Sequence, residues 1–288
     1  MKIDPWGMLR DARYAAPRQV ERLTRGPGAE ATAQMCSRLR QRGLAVSVGY
    51  FHGSHDGPDD VVAANLAASE RLAGTGCDAY LSVKAPALAF DDTRLRTIAK
   101  AAASADMPVV FDSHGAKDAD QTLDAVWRLL PAYPGAGVVL PARWRRSLAD
   151  AVQFREARAR IRVVKGEWAD PVEDAPDITA NYLSIISTLA GRADPVAVAT
   201  HDPDVVEKAL RLLIDAGTPC ELEQLRGLPR KRTTTIAQRL GVPVRIYLPF
   251  GPGWRPYALD KALARPYLVS WMIKDWLSAA ESPTNAEK

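Results

Sequence analysis

Eight short runs rich in β-branched residues recur along the chain, and no other feature restricts the fold as strongly. They are AVSVGYF near 45–51, AYLSVKA near 79–85, PVVFDS near 108–113, AGVVLPA near 136–142, IRVVKGEW near 161–168, PVAVATH near 195–201, CELEQL near 220–225 and VRIYLPF near 244–250. Between them lie segments such as DDVVAANLAASERLAG, DQTLDAVWRLL, ITANYLSIISTLAG and DPDVVEKALRLLIDAG. Each carries apolar residues at i, i+3, i+4 and i+7, the spacing of an amphipathic helix. Parallel strands need crossover helices, and eight strand–helix units of about 30 residues close into a ring with no free edge. The pattern predicts a (β/α)8 barrel, with a doubly wound open sheet as the alternative. Asp202 and Pro203 open one helix and Gly217 closes it, as capping chemistry expects.

This layout divides the chain into an N-terminal helical segment over residues 1–44, a barrel over 45–280 and a frayed polar tail over 281–288. The 288 residues are 47% hydrophobic and 25% charged, which suits a globular protein with a large core. The formal charge of +4 is spread along the chain, against nucleic-acid binding, which concentrates its basic residues. The densest cluster, RGLPRKRTTT, reads as a solvated loop and helix start or as a contact for an anionic phosphate or cofactor. Cys36, Cys77 and Cys220 are odd in number and lack CxxC spacing, so neither a disulfide framework nor a zinc site is predicted. No apolar stretch approaches the roughly 20 residues of a membrane span, and MKIDPWGMLR lacks a signal-peptide core. A cytoplasmic location is expected.

In a barrel of this kind the chemistry belongs at the C-terminal ends of the strands. Lys84, Asp112, Lys165, His201 and Tyr247 stand at or near those ends, and strand alternation puts Ser82 with Lys84, Val110 with Asp112 and Arg245 with Tyr247. A charged residue closing an inner face needs a partner or a ligand. Lys84 could pair with Asp112, and Asp112 could cap its turn. Together they also form an electrostatic platform for a polar substrate or cofactor ring.

LSVKAPAL, VVFDS, RVVKGEW, ATHDPDVVEKAL, ELEQLRGLP and YLPFGPGWRPY follow one another in an order and spacing that resembles the flavin-dependent proline dehydrogenase family, from about residue 75 to 266. The resemblance implies FAD over the strand ends, accepting a hydride from the carbon next to the substrate nitrogen. Arg162, Lys165 and Gly166 match the family's R-x-V-K-G flavin contact, and Thr200 and His201 match its A-T-H contact. Lys84, Asp112, Tyr247 and Tyr257 fall where the family keeps polar residues around substrate and flavin. Read from the residues alone, Arg162 or Lys165 could instead pair with Glu167 or another acid. His201 could serve as a strand-end hydrogen bonder, Tyr247 as a filler of the barrel mouth and Trp254 as packing.

Departures from the family pattern collect in the same region. Asp260 and Lys261 replace two arginines that hold a carboxylate in a planar fork, so one charge is reversed. Trp168 replaces an active-site tyrosine, His114 an acid, and Pro141 a glutamine that contacts the flavin. A pocket with Asp260 and Lys261 suits a cationic amine, or a substrate whose carboxylate is absent, esterified or displaced, unless the two residues pair on a helix surface. The resemblance therefore implies oxidation of a proline-like substrate, cyclic amine or modified amino acid, with an electron acceptor the sequence does not name. Two alternatives remain: a flavin-free barrel enzyme that forms a Schiff base on Lys84 or Lys165, and a non-catalytic relative. GxGxxG, P-loop, HExxH and GxSxG motifs are absent. His52 and His55 in HGSH could bind a metal or sit in a mobile loop, and no metal is expected.

Overall fold

The computed structural model describes residues 26–170 and 172–254. Eight parallel strands form a closed barrel in sequence order: β1 (Ala45–Tyr50), β2 (Ala79–Val83), β3 (Val109–Phe111), β4 (Ala136–Pro141), β5 (Arg160–Val164), β6 (Val196–Ala199), β7 (Cys220–Leu225) and β8 (Val244–Phe250). β1 closes the ring by pairing with both neighbours, Val46 facing Ala79 on β2 and Ile246 on β8. This is the (β/α)8 barrel that the eightfold alternation predicts, and the open sheet is excluded by closure.

Helix α1 (Ala29–Arg40) precedes β1. The crossovers are α2 (Pro58–Ala73), α3 (Asp92–Ser104), α4 (Ala119–Leu129), α5 (Ser147–Phe154), α6 (Ile178–Leu189), α7 (Pro203–Asp215) and α8 (Lys231–Arg239). Local chemistry fixes their starts. The Asp202 carboxylate accepts the backbone N–H of Asp204 at 3.2 Å, with Pro203 opening α7. Asp177 caps α6 through Thr179 and Ala180 at 2.8 and 2.9 Å, each such cap contributing about 1 kcal/mol. On α7, Val205, Val206, Ala209, Leu210 and Leu213 are buried, so one stripe meets the sheet while the charged face meets solvent.

Strand alternation sorts the side chains into two populations. Val46, Val48, Leu81, Val83, Val138, Leu140, Ile161, Val163, Val196, Val198, Ile246 and Leu248 point outward into one continuous core with the helices. Each fully buried branched side chain there contributes about 1.5–3 kcal/mol. The alternate residues point into the barrel, where Tyr80, Val110 and Val139, with Val164 against them, form a separate small cluster. Ser47, Ser82, Arg162, Glu221, Glu223 and Arg245 make much of the remaining interior polar and charged.

The strands are shorter than the apolar runs suggest. β2 stops at Val83 because Pro86 turns the next residues into a 3-10 helix, Ala85–Leu88, and proline cannot donate to the ladder. β5 stops at Val164, and Gly166 then adopts φ +93, a conformation that favours glycine. Lys84, Asp112, Lys165 and His201, expected at strand ends, therefore sit one or two positions beyond them on the rim, whereas Tyr247 lies within β8.

Candidate active site

Side chains of non-neighbouring strands bond to one another only across the barrel interior, and they do so around Arg162 of β5. Its guanidinium donates to Asp112, just past β3, and to Glu223 of β7, the latter at 3.0 Å. It also approaches the Tyr80 hydroxyl of β2 at 3.3 Å and lies 5.2 Å from the Tyr247 ring centroid. Glu223 is saturated from other sides: the Ser47 hydroxyl donates to it at 2.7 Å, and the Tyr80 hydroxyl donates to its second oxygen. Ser82 donates to Asp112, and the Lys84 ammonium donates to Asp112 at 3.2 Å and to the Tyr50 carbonyl at 3.3 Å. Lys84 also lies 4.0 Å above the Phe51 ring.

These contacts set the charges. Burial favours a neutral Asp112, but Arg162 and Lys84 outweigh it and hold the carboxyl below its ordinary range. Burial lowers the pKa of Lys84 against the pull of Asp112. The Tyr247 hydroxyl is pushed well above its ordinary value, by burial first and by Asp112 second. Gly49 makes room for that hydroxyl, since a Cβ there would stand 2.1 Å from it.

The network floors a cavity of about 590 Å³ at the C-terminal ends of the strands, within the 300–1,000 Å³ of small-molecule sites. Lys84, Asp112, Arg162 and Tyr247 line its floor. Lys165, Gly166, Trp168, His114 and His201 line its walls. His114 stacks on Trp168, with ring centroids 5.2 Å apart. Lys165 pairs with Asp202 at 2.8 Å. So both basic residues of RVVKG do hold acids, although neither holds Glu167.

His201 is engaged through both ring nitrogens. Nδ1 donates to the Pro229 carbonyl at 2.8 Å, and Nε2 accepts the Leu225 N–H at 3.1 Å, which fixes a neutral ring protonated on Nδ1. It presents its ring rather than an N–H to the cavity. Thr200 is buried off the cavity wall: its hydroxyl accepts the Asp202 N–H at 3.3 Å, and its carbonyl accepts from Gln224 at 2.6 Å. Pro141 closes β4 and is packed against Gly166, where a Cβ would come within 2.9 Å of the Pro141 Cβ. At β4 the cavity wall is Val139.

Tyr257, Asp260 and Lys261 lie outside the described residues. Trp254 packs edge-on against Phe51 at 5.3 Å. His52 lines the cavity while His55 is exposed. No group of three or more His, Cys, Asp or Glu that could hold a metal occurs among the described residues. No described helix is long and apolar enough to cross a membrane.

Sequence reading missed Glu223, Tyr80 and Ser47. The signal for Glu223 was present: CELEQL places Glu221 and Glu223 two apart in one strand, so both acids face inward. No comparable signal marks Ser47, a small hydroxyl in an apolar run.

Comparison with known proteins adds an independent line. The family model described as proline dehydrogenase matches residues 28–255. The chain is 24% identical to proline dehydrogenase 1 of Bacillus subtilis subsp. natto over 277 residues, covering 91% of each chain. It is 26% identical to the proline dehydrogenase of Deinococcus radiodurans over 286 residues, covering 90% of each. Among solved structures it resembles proline utilization A from Bdellovibrio bacteriovorus inactivated by N-propargylglycine, with a TM-score of 0.73 and 18% identity over 90% of this chain. It also resembles proline utilization A from Corynebacterium freiburgense, with a TM-score of 0.69 and 20% identity over 95% of this chain. The chain spans about a third of those two structures, 34% of each, and they speak for the fold alone. Family match, curated relatives and barrel agree: the chain belongs to the proline dehydrogenase family, typically FAD-dependent, and is a proline dehydrogenase-like enzyme.

Proposed function

We propose that the chain is a FAD-dependent oxidoreductase that removes hydride from the carbon next to nitrogen in a proline-like substrate, a cyclic amine or a modified amino acid. The observation that carries this reading is the cavity over the strand ends, floored by Arg162, Asp112, Lys84 and Tyr247. That the relatives are proline dehydrogenases supports the substrate class.

The donor set fits a flavin. Arg162 lines the cavity floor, a fixed cationic donor toward a group that gains negative charge above it. Lys165 supplies a second cation on the adjacent wall. Arg162, Lys165, Gly166 and His201 would hold the ring, with Thr200 shaping the loop behind it. Bound there, FAD supplies a two-electron acceptor for the substrate's hydride. The chain's own residues bind and orient. Lys84 and Asp112 present a fixed cation and anion to the substrate, and Tyr247 remains a protonated hydroxyl that donates or packs. Arg162 and Lys165 favour negative charge developing on the bound ring. Asp260 and Lys261, in place of paired arginines, disfavour a free carboxylate, so we propose that L-proline is a poorer substrate than an amine lacking or masking that group.

The test is an absorption spectrum of the full chain reconstituted with FAD, followed by anaerobic addition of L-proline, its methyl ester and pyrrolidine. A yellow protein bleached fastest by the ester or pyrrolidine is expected. A colourless protein that takes up no FAD overturns the cofactor, and fastest bleaching by L-proline overturns the substrate assignment.

A further inference from the structure

The ion-pair network leaves two imidazoles of the cavity wall unused. His114 stands two residues past Asp112, half-buried, and its ring stacks on Trp168 with centroids 5.2 Å apart and planes inclined by 26°. Among the described residues this stack is the ring's contact, and no hydrogen bond occupies its nitrogens. His52 enters from the loop after β1 and is exposed at the rim.

A secondary or cyclic amine is an ammonium ion at neutral pH. Its nitrogen has no lone pair to form a second C–N bond while a proton occupies it, so some group must accept that proton. Asp112 is held ionised by Arg162 and Lys84, the arrangement that makes a carboxylate a weak base. Tyr247 is already protonated, and both nitrogens of His201 serve backbone groups. Lys165 is a cation paired with Asp202. Glu167 shares the wall, but an imidazole as a class is matched more closely to proton transfer at neutral pH than a carboxylate.

We propose that His114 is the proton acceptor for the ammonium of the amine substrate, a role that rests on the amine-oxidising reading above. The substrate N–H bond breaks and its electron pair stays on nitrogen, while the proton bonds to a ring nitrogen of His114. The nitrogen lone pair then forms the second C–N bond as the adjacent C–H pair departs as hydride. The substrate thus loses two electrons, for which the proposed flavin is the acceptor. His114 returns its proton to solvent at the rim beside His52.

The surroundings suit this role. Burial has the largest influence on His114 and favours the neutral ring. Lys84 and His52 act in the same direction, Asp112 and Asp118 oppose them, and the balance lies below the ordinary imidazole value. The ring is therefore an unprotonated base at neutral pH.

Two measurements on the full chain test the role. The first follows anaerobic flavin bleaching by pyrrolidine against pH in wild type, His114→Gln and His52→Gln. Wild type should show a rate that falls at acid pH through one inflection. His114→Gln should lose about a hundredfold in rate at neutral pH, together with that inflection. A His114→Gln protein that keeps rate and inflection overturns the role alone, as does loss of the inflection in His52→Gln with His114→Gln intact. Wild-type protein that no amine bleaches overturns the functional reading and this role with it. The second needs no turnover: an imidazolium stacked on an indole quenches it, so the fluorescence difference between wild type and Trp168→Phe should fall at acid pH and lose that fall in His114→Gln. A Trp168-dependent signal indifferent to pH overturns the proton exchange itself.

Discussion

Two clusters of buried charge occupy one barrel and differ in access rather than in chemistry. Near the N-terminal ends of the strands, Arg245 donates to Glu221 at 2.8 Å and to Asp78 at 2.9 Å, and Arg160 donates to the same Glu221. Both guanidinium groups sit over the Tyr80 ring, at 4.9 and 5.2 Å. Near the C-terminal ends, Arg162, Asp112, Glu223 and Lys84 repeat the theme, with the Tyr80 hydroxyl joining the two layers through Glu223. The lower layer buries Arg245, only 2% exposed, and reaches solvent at Asp78, whose side chain is 73% exposed. The upper one opens into the cavity, which Lys84, Asp112, Arg162 and Glu223 all line. Identical residue types thus serve as scaffold where they meet one another and bulk solvent, and as candidate site where they line a cavity.

The contrast predicts the largest loss at Arg162. Arg162→Met strands Asp112 and Glu223 as buried charges without their shared partner, a change worth about 3–5 kcal/mol. Urea unfolding should register that loss, and FAD uptake should disappear with it. Arg245→Met should cost about 3 kcal/mol, the low end of that range, because Arg160 still faces Glu221 and Asp78 is largely solvated. It should leave FAD affinity intact. A variant at Arg245 that folds stably yet refuses FAD would erase the distinction between the two layers.

The fold was legible because its signal is periodic: eight runs, each closed by turn chemistry, report a ring whatever the contacts inside it. In the candidate site, Lys84, Asp112 and Lys165 were legible from charge closing a strand-like run, while Arg162, His114 and Trp168 came into view only through the family resemblance. Glu223 was hidden because a mid-strand acid looks like surface until closure makes the inner face of β7 a core. Thr200 shows what spacing leaves open. Adjacent to His201 in sequence, it turns its hydroxyl toward the Asp202 backbone, a rotation that no linear spacing reports.

A smaller effect probes how tightly the upper layer is packed. Gly49→Ala puts a Cβ onto the Tyr247 hydroxyl, and overpacking of this sort costs about 1–3 kcal/mol. If Tyr247 belongs to the site, FAD or amine affinity should fall along with the unfolding midpoint. Loss of stability with unchanged affinity would move Tyr247 to the scaffold. Acid titration tests both layers at once. Burial raises the carboxyl pKa values of Asp112 and Glu221, but neighbouring arginines outweigh it and depress both. Such a group contributes stability that is fully present above its unfolded-state pKa, about 3.9 for Asp and 4.3 for Glu, and that is lost as pH falls through the lower folded value. Unfolding midpoints measured from neutral pH down to acid should therefore decline below about pH 4, and the decline should be shallower in Glu221→Gln.

The least effect on stability is expected at the rim, where Lys165 pairs with Asp202. Both side chains are more than a third exposed, at 42% and 35%, so water screens the attraction and Lys165→Gln should cost less than about 1 kcal/mol. Asp202 keeps its second function in that variant, because the oxygen that caps α7 is not the one that meets Lys165. The helix start therefore survives, and any loss of FAD affinity reports the missing cation directly. A several-fold weaker FAD dissociation constant in Lys165→Gln, with an unfolding midpoint close to wild type, would place Lys165 with the upper layer in function although its energetics are those of the surface. Unchanged affinity would leave it a surface ion pair that happens to border the cavity.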